Sequence, residues 1–581
     1  MKELQIKESP EKYDVIIVGS GAGGGMAGYI LAKAGVKVLM LEAGPFFDPA
    51  KDSMQLKWPW QSPRRGASTK ERAFGDFDAA FGGWEIEGEP YTHKDDTEFT
   101  WFRSFMLGGR TNHWGRISLR MGPKDFKGGS YDGATDDWPI SYEDVKPYYD
   151  KVDRLIGLYG TKEGLVDEPD GIFMPPPKPR LNELFIKKGA EKAGVKVIPG
   201  RGAILTEQLP GNKDRKPCFY CHQCNRSCKV AADFSSSNAL VIPAIKTGNL
   251  KVISNAVVRA VTTGKDGLAK GVSYIDKGNM TEYQVSGKVV ILAASTCNTA
   301  RILLNSKTAS HPDGVANSSG LVGKYLHDST GSDMSGFLPQ LMDRKRYNED
   351  GARAVTILSP WWLDNKKLDF PRGYHIEYNG GMFMPSYGFG SGVPHKNGLV
   401  PGKDGKKKAA GGFGKSLKED YRRFYGTHVG MAGRGLGIAR ESNYCEIDPD
   451  VVDKYGIPVL RFHYKWSDAE IKQAKHMQET FAEIMHEMGA IVTSPKHTKE
   501  DNYGLHTPGD IIHEAGTTRM GNDPKTSVLN KWCQAHDCKN LFVTDGAPFV
   551  QQGDKNITWT ILALSMRTAE YILDQKQKLN I

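Results

Sequence analysis

The distribution of apolar residues near the start of the chain predicts a strand, a helix and a second strand. YDVIIVG is an apolar strand that ends in glycine, GGMAGYILAKAG places small residues on one helical face, and VKVLMLEAG is a second apolar strand. Strand, helix and strand in this order form a βαβ unit with a parallel sheet. The segment from Tyr13 to Gly44 therefore predicts an α/β fold.

Similar patterns return in two later parts of the chain. LKVISNAVVRAVTT and GKVVILAAS predict strands, and NLFVTDGAPF followed by ITWTILALSMRTAEYILDQ predicts a strand, a turn and a long helix. We interpret both parts as returns to the first sheet, which makes the first domain discontinuous and Rossmann-like. This domain is predicted to comprise 11–130, 249–324 and 505–581. The region 131–248 is predicted to be helical, with a cysteine insertion at about 210–235. The region 325–504 is predicted to form a sheet-based α+β substrate domain.

The region 325–504 contains one helix with clear end signals. Ser467 and Glu470 have the spacing of a capping box, and Gly489 stands where a helix commonly ends in a left-handed residue. The same region is rich in aromatic residues that could stack on a sugar, although such residues more often form core. These aromatic residues are Trp361, Trp362 and Tyr387.

Composition and charge set limits on the function. The 581 residues are 39% hydrophobic and 25% charged with a net charge of +9, which is typical of a globular protein with several domains. This charge is too small for the chain length to indicate a nucleic-acid partner. No apolar run is long enough for a membrane span, and the start has no signal-peptide pattern. We expect a cytoplasmic protein, or a periplasmic one that is exported with a signal-bearing partner.

Three glycines follow the first strand with the spacing of a dinucleotide-binding turn. Gly19 permits the tight turn, Gly21 lets the backbone approach a pyrophosphate, and Gly24 lets the helix pack closely on the strand. Glu42 ends the second strand, 18 residues after Gly24, where a carboxylate accepts ribose hydroxyls. Together these residues predict a dinucleotide site, without deciding between FAD and NAD.

Three further segments carry a family resemblance. MLGGRTNHWGRISLR (106–120), VVILAASTCNTARILLNS (289–306) and the C-terminal block HEAGTTRMG…NLFVTDGAPF…GDKNITWTILAL resemble the glucose–methanol–choline (GMC) oxidoreductase family. The resemblance implies a flavoprotein of two domains with FAD between them. It also implies that His513 is the catalytic base and Asn556 its partner. Ile557 replaces the proline that usually follows this asparagine, which leaves Asn556 in place.

The chemistry of alcohol oxidation requires such a pair. A base takes the hydroxyl proton while hydride leaves the carbon for the flavin, and the second residue stabilises the developing oxyanion. By the same resemblance, Asn112 contacts the flavin, and His113 is a candidate for a covalent bond to it. The remaining cofactor contacts that the resemblance implies are Gly109, Val258, Asp545 and Gly546.

Four of the eight cysteines lie within eleven residues, as Cys218, Cys221, Cys224 and Cys228. Their C-x2-C-x2-C-x3-C spacing is that of bacterial ferredoxins, except that Lys229 replaces the usual proline. We predict an iron–sulfur cluster, either [4Fe–4S] or [3Fe–4S]. Structural zinc and free thiols stay open as alternatives.

Two functions remain in competition. The chain resembles the catalytic subunits of bacterial FAD-dependent sugar dehydrogenases of the glucoside 3-dehydrogenase and gluconate 2-dehydrogenase type. That resemblance implies oxidation of a secondary sugar hydroxyl, an accessory subunit and a cytochrome acceptor. The alternative is an oxidase of the family that makes hydrogen peroxide and uses the cysteines for structural zinc. A non-catalytic assembly subunit is disfavoured by the intact pair of His513 and Asn556.

Overall fold

The computed structural model describes residues 7–61, 65, 81–345, 356–363, 367–382, 399–401, 407–409 and 414–580, so Tyr387 lies outside the described residues. The strands are β1 (Lys7–Val18), β2 (Val38–Leu41), β3 (Phe81–Gly83), β4 (Thr92–His93), β5 (Arg103–Phe105), β6 (Ile198–Pro199), β7 (Leu250–Ile253), β8 (Ala256–Thr263), β9 (Ala269–Asp276), β10 (Glu282–Leu292), β11 (Thr330–Phe337), β12 (Ile357–Ser359), β13 (Tyr374–Gly380), β14 (Leu399–Pro401), β15 (Lys407–Ala409), β16 (His428–Gly435), β17 (Tyr444–Val452), β18 (Pro458–His463), β19 (Ile491–Val492) and β20 (Leu541–Val543). The helices are α1 (Ala22–Lys33), α2 (Pro49–Asp52), α3 (Pro123–Phe126), α4 (Gly128–Asp132), α5 (Tyr142–Ile156), α6 (Leu181–Lys192), α7 (Ile242–Ile245), α8 (Thr296–Asn305), α9 (Gly414–Phe424), α10 (Asp468–Glu487) and α11 (Thr558–Gln577).

The first sheet is assembled from three distant parts of the chain. Its order is β7-β2-β1-β10-β9-β8, and β20 also pairs with β10. The pairs β7–β2, β2–β1, β1–β10 and β10–β20 are parallel, whereas β10–β9 and β9–β8 are antiparallel. This arrangement confirms the predicted α/β fold class with a discontinuous Rossmann-like domain.

Small residues let α1 lie close to this sheet and to α11. A Cβ at Gly28 would come within 2.8 Å of the Leu250 side chain, so a larger residue would push the helix outward. On the other side, the Ser565 hydroxyl of α11 donates a hydrogen bond to the Gly23 carbonyl at 2.6 Å. The C-terminal helix is therefore part of the support for the first turn of α1.

A second sheet of six strands forms the other domain, in the order β19-β11-β16-β13-β12-β6. Helices α6 and α10 pack on it through buried residues such as Ile186, Phe481 and Ile484. Trp361 and Trp362 also pack against this core, and the Trp361 ring is tilted against that of Tyr374 at 5.1 Å between ring centroids. These two aromatic residues are thus occupied with packing.

The structure modifies two of the expected segment boundaries. Helix α6 and strand β6, from the stretch predicted as a separate helical region, join the second sheet. Strands β17 and β18 pair with β4, and Arg301 of the first domain donates to the Pro458 carbonyl at 2.8 Å. The hairpin of β17 and β18 therefore lies on the first domain, although it falls within 325–504.

Helix α10 shows the predicted end signals. Ser467 and Glu470 form a capping box at its start, with the Glu470 carboxylate accepting from the Ser467 backbone at 2.9 Å. Gly489 follows the helix with φ of +67°, a conformation that glycine adopts without strain. In the part of the chain that the structure describes, no helix has the length and apolar character of a membrane span.

Candidate active site

A cavity of about 420 Å³ follows the carboxyl ends of the parallel strands and reaches His513 and Asn556. Its wall includes the residues that end or follow β1, β2, β10 and β20, among them Val18, Glu42 and Asp545. In α/β sheets, ligands bind outside the carboxyl ends of the strands. The cavity therefore joins the predicted dinucleotide site to the predicted catalytic pair.

The glycine turn has the geometry that a pyrophosphate needs. Gly19 has φ of +96°, and a Cβ there would lie 2.2 Å from the Ala293 carbonyl oxygen. A Cβ at Gly21, which lines the cavity, would meet no described atom within 4 Å and would project into open space. The N-terminus of α1 carries no side-chain cap among the described residues, so its N–H groups are suited to phosphate oxygens.

Gly24 does not line the cavity, because it packs against the turn itself. A Cβ at this position would come within 2.0 Å of the Gly19 carbonyl oxygen. We expect Gly24→Ala to displace α1 from the turn and to weaken FAD binding at least tenfold, equal to about 1.4 kcal/mol. The ratio of flavin to protein absorbance after dialysis measures this loss. Unchanged FAD retention in a folded variant would contradict the close packing.

Glu42, the residue predicted to accept ribose hydroxyls, also lines the cavity. Its carboxylate accepts from the Gly44 N–H at 2.9 Å and from both the backbone and the hydroxyl of Ser20. Burial raises the pKa of Glu42 above its usual value. Lys277 and Val258 also line the cavity, and burial lowers the pKa of the Lys277 amine. The cavity wall thus offers both an acceptor and a basic group.

The loop predicted to contact a flavin forms a tight turn over Gly109–Asn112, preceded by Gly108 at φ of +88°. Gly109 and His113 line the cavity, and His113 Nε2 lies 2.9 Å from the Ser104 hydroxyl. Burial lowers the pKa of His113 to about 3, so its imidazole is neutral. A neutral ring is the form in which a histidine nitrogen is nucleophilic.

Asn112 forms its side-chain hydrogen bonds within the loop and with Ser237. It is absent from the cavity wall within the described part of the chain, and its side chain is buried. Its amide donates to the carbonyls of Leu107 and Gly109 and accepts from the Ser237 hydroxyl at 2.7 Å. These bonds occupy the side-chain amide in holding the loop, and the flavin contact of Asn112 stays a prediction.

A buried ion pair connects this loop to the cysteine segment. Arg116 Nη2 lies 2.8 Å from Asp233 Oδ2, and the two side chains are 1% and 2% exposed. Arg116 also donates to the carbonyls of Asn112 and Trp114. Since Trp114 lines the cavity, this guanidinium helps to hold a part of the loop that forms the cavity wall.

His513 and Asn556 lie together on the wall of the cavity, with His513 Nε2 3.3 Å from Asn556 Nδ2. His513 Nδ1 faces the Ser329 hydroxyl at 3.1 Å. With its amide oxygen toward Ser329, Gln552 accepts from that hydroxyl at 2.8 Å and donates to the His513 carbonyl at 2.9 Å. The Ser329 hydroxyl is then left to accept from Nδ1, which places the proton on Nδ1 and leaves a lone pair on Nε2.

Burial keeps this base neutral. It lowers the pKa of His513 to about 3, so the lone pair of Nε2 is available at neutral pH. The His513 backbone N–H donates to Asp328 Oδ1 at 2.8 Å, which fixes the backbone that carries the imidazole ring. A buried, neutral and oriented imidazole is suited to accept a proton from a hydroxyl group.

Asp545 and Gly546 follow β20 and line the cavity. The Asp545 carboxylate accepts from the Thr299 hydroxyl at 2.5 Å and from the Ala547 N–H at 2.9 Å. Burial raises the pKa of Asp545 to about 6. A Cβ at Gly546 would lie 2.6 Å from Thr296 Oγ1, so this position requires a residue without a side chain.

The four clustered cysteines occupy one loop beside the segment that follows α2. Gln55 Nε2 lies 3.1 Å from Cys221 Sγ and 3.7 Å from Cys228 Sγ. Cys224 and Cys228 are buried, and burial raises the pKa of all four thiols. Across the described ranges, no group of three or more His, Cys, Asp or Glu side chains is placed to hold a metal ion.

Three residues that contact His513 or Asn556 are not predicted by the sequence patterns. Ser329 and Gln552 hold His513, and Glu377 accepts from Asn556 at 3.1 Å. For Glu377 the sequence YHIEYNG does contain a signal, because His375 and Glu377 lie on the same face of an otherwise apolar strand. Two polar residues in this arrangement indicate a candidate site. Ser329 and Gln552 are common polar residues, and no local pattern distinguishes them.

Comparisons with known proteins agree over nearly the whole chain. Models of the GMC oxidoreductase family match residues 13–330 and 439–565. A 2-methyl-1,2-propanediol dehydrogenase from Mycolicibacterium austroafricanum is 30% identical, over 97% of this chain and 96% of its own. The large subunit of a fructose dehydrogenase from Gluconobacter japonicus is 27% identical, over 97% and 98%. The fold is similar to that of formate oxidase from Aspergillus oryzae RIB40, with a TM-score of 0.66 at 14% identity over 98% and 99% of the two chains.

Proposed function

Because the chain belongs to the GMC oxidoreductase family, we propose that it is an FAD-dependent dehydrogenase that oxidises a secondary hydroxyl group of a sugar or glycoside. The observation that carries this proposal is the pairing of His513 Nε2 and Asn556 Nδ2 at 3.3 Å on the wall of the long cavity. The glycine turn and the neutral base His513 line the same cavity, so one cavity offers both a place for a dinucleotide and a group that accepts a proton.

The side chains divide the work of the oxidation. His513 Nε2 accepts the proton of the substrate hydroxyl, while the Nδ1–H bond to Ser329 keeps the ring in the required tautomer. Asn556 Nδ2 donates to the hydroxyl oxygen and stabilises the negative charge that develops there. FAD, when bound, supplies the acceptor for the hydride that leaves the carbon. The residues proposed to hold the cofactor all line the cavity: Gly19, Gly21, Glu42, Gly109, His113, Val258, Asp545 and Gly546.

His113 is the candidate for a covalent bond to the flavin. It lines the cavity and its ring is neutral, as a nucleophilic nitrogen requires. Denaturation followed by filtration tests this part of the proposal directly. Flavin that stays with the unfolded chain supports the bond, whereas flavin that passes the filter excludes it.

The second part of the proposal concerns the route of the electrons. We place an iron–sulfur cluster on Cys218, Cys221, Cys224 and Cys228, with an external acceptor and an accessory subunit as partners. The cysteine spacing supports this assignment; the described side chains, as they stand, do not converge on a metal ion. One relative of this length carries the name of a large subunit, which fits an assembly of unequal chains.

Anaerobic flavin reduction tests the function. A panel of glucosides, fructose, gluconate and 1,2-diols is added to the FAD-bound protein, and the loss of flavin absorbance is followed. We expect one hydroxyl compound to bleach the flavin, with dye reduction far exceeding peroxide release in air. Peroxide at the rate of bleaching, together with bound zinc, would support the oxidase alternative. Flavin that no alcohol bleaches would refute the proposed function.

Removal of one cysteine tests the cluster separately. Cys224→Ser is expected to lose most of the bound iron and sulfide and at least tenfold of the dye-linked turnover, while alcohol still bleaches the flavin at the normal rate. Cys538→Ser, at a buried cysteine outside the cluster, is the matched control and keeps its iron. A wild-type protein that contains no iron would refute the iron–sulfur assignment.

A further inference from the structure

We propose that Glu377 is a positioning residue that fixes the orientation of the Asn556 amide, so that its N–H faces the reacting oxygen. This inference rests on the proposed function, because it concerns the group beside the base. Glu377 lies on β13 of the second sheet, whereas Asn556 and His513 belong to the C-terminal part of the first domain. The contact therefore joins the two domains at the reacting end of the cavity.

The geometry places one nitrogen between two acceptors. Asn556 Nδ2 lies 3.1 Å from Glu377 Oε1 and 3.3 Å from His513 Nε2. The Asn556 amide oxygen is buried and has no hydrogen-bond partner in the described part of the chain. An orientation that leaves a buried oxygen unpaired has a cost, so another group must hold it.

Only one orientation of the amide is compatible with these neighbours. A carboxylate has lone pairs and no hydrogen, so it binds the NH2 end of an amide and repels the oxygen end. A half-turn of the Asn556 side chain would bring its oxygen against both the Glu377 carboxylate and the His513 lone pair. Glu377 thus directs the second N–H toward the place where the substrate oxygen meets His513 Nε2.

The charge of Glu377 is itself maintained by its surroundings. Burial alone would raise the pKa of Glu377, but the hydrogen bond from His375 and the charge of Arg434 lower it to about 2. His375 Nε2 lies 3.2 Å from the same oxygen that Asn556 contacts, and Arg434 Nε lies 3.9 Å from the other. Glu377 is absent from the described cavity wall, so it acts through Asn556 and not on the substrate.

The role predicts a specific defect when the charge is removed. Glu377→Gln keeps the shape but can present either an oxygen or an NH2 group, so both orientations of Asn556 become accessible. We expect the rate of flavin reduction at saturating substrate to fall at least tenfold, with KM changed less than about twofold. Binding of the carbonyl product, followed by its shift of the flavin spectrum, is expected to weaken in parallel, because that oxygen takes the same N–H.

A double-mutant cycle with Asn556→Ala separates this role from a general structural effect. In the Asn556→Ala background, Glu377→Gln is expected to change the rate less than about twofold, because the amide it orients is gone. Glu446→Gln, at a more exposed carboxylate paired with His463, is the control and leaves the rate unchanged. If Glu377→Gln does not retain flavin, Glu377→Asp, which keeps the charge, is used for the same cycle.

The outcomes decide between the two levels of the proposal. Equal losses in both backgrounds, or a normal rate and normal product binding in Glu377→Gln, would overturn the positioning role. If alcohols reduce the flavin of the wild-type protein and the losses of the two single variants are additive, the positioning role is rejected and the proposed function stands. If no alcohol reduces the flavin of the wild-type protein, the proposed function is rejected. The binding of a carbonyl compound to the two single variants and the double variant then tests the orientation of Asn556 independently.

Discussion

Replacing His513 by alanine is expected to slow the reduction of the bound flavin by alcohol by roughly 10³-fold, within the range of about 10²–10⁴ for a general base. The reason is that no other described side chain combines a place on the cavity wall with a neutral imidazole beside Asn556. Anaerobic stopped-flow absorbance at saturating alcohol measures this rate. The substrate hydroxyl would then have to lose its proton to water.

FAD retention and a second variant distinguish a missing base from a damaged fold. FAD retention in His513→Ala is expected to be normal, because the glycine turn and Glu42 are unchanged in this variant. Ser329→Ala is the informative second variant: it removes the acceptor of the Nδ1–H bond and the hydroxyl that donates to Gln552 but keeps the imidazole, so it is expected to cost far less. A His513→Ala variant with nearly normal bleaching would remove His513 from the role of base.

Replacing Asp233 by alanine is expected to lower the free energy of unfolding by about 3–5 kcal/mol, the range for breaking a buried ion pair. The change leaves the Arg116 guanidinium without its carboxylate in a place where its side chain is only 1% exposed. Urea unfolding followed by circular dichroism measures the loss. We also expect weaker FAD retention, since Arg116 holds the carbonyls of Asn112 and Trp114.

The matched control for this pair is Asp214→Ala. Asp214 and Lys246 form an ion pair at 3.3 Å, but their side chains are 82% and 63% exposed. Water screens such a pair, so its removal is expected to leave the stability almost unchanged. Equal effects of Asp233→Ala and Asp214→Ala would contradict the account of Arg116 as a buried charge that depends on its partner.

Much of this architecture could be predicted from the sequence because its signals are local. The strand, the glycines and the acid within Tyr13–Gly44 follow one another without interruption, and the capping box at Ser467 is complete within four residues. Each of these signals is set by backbone geometry over a few residues, so no knowledge of distant parts is needed. The candidate base His513 and its partner Asn556 are predicted only through their resemblance to a family motif.

The rest depends on contacts between distant parts of the chain. The family resemblance predicts that Asn112 contacts the flavin, but it does not predict that the Asn112 amide donates to the carbonyls of Leu107 and Gly109. Glu377 and Asn556 are 179 residues apart, and only the packing of the second sheet brings them together. The sequence pattern records that a polar residue is present, whereas the fold decides which partner it finds.

The pairing of β20 with β10 also has a consequence for the order in which the protein folds. Residues 541–543 complete the parallel part of a sheet whose other strands lie hundreds of residues earlier in the chain, and α11 packs on α1. During synthesis, residues 290–292 of β10 have no partner on that side until these last residues emerge, because β9 pairs there only with residues 282–286. The nascent chain must therefore keep this short strand edge from associating with other chains while residues 293–540 are made, and the domain closes only at the end.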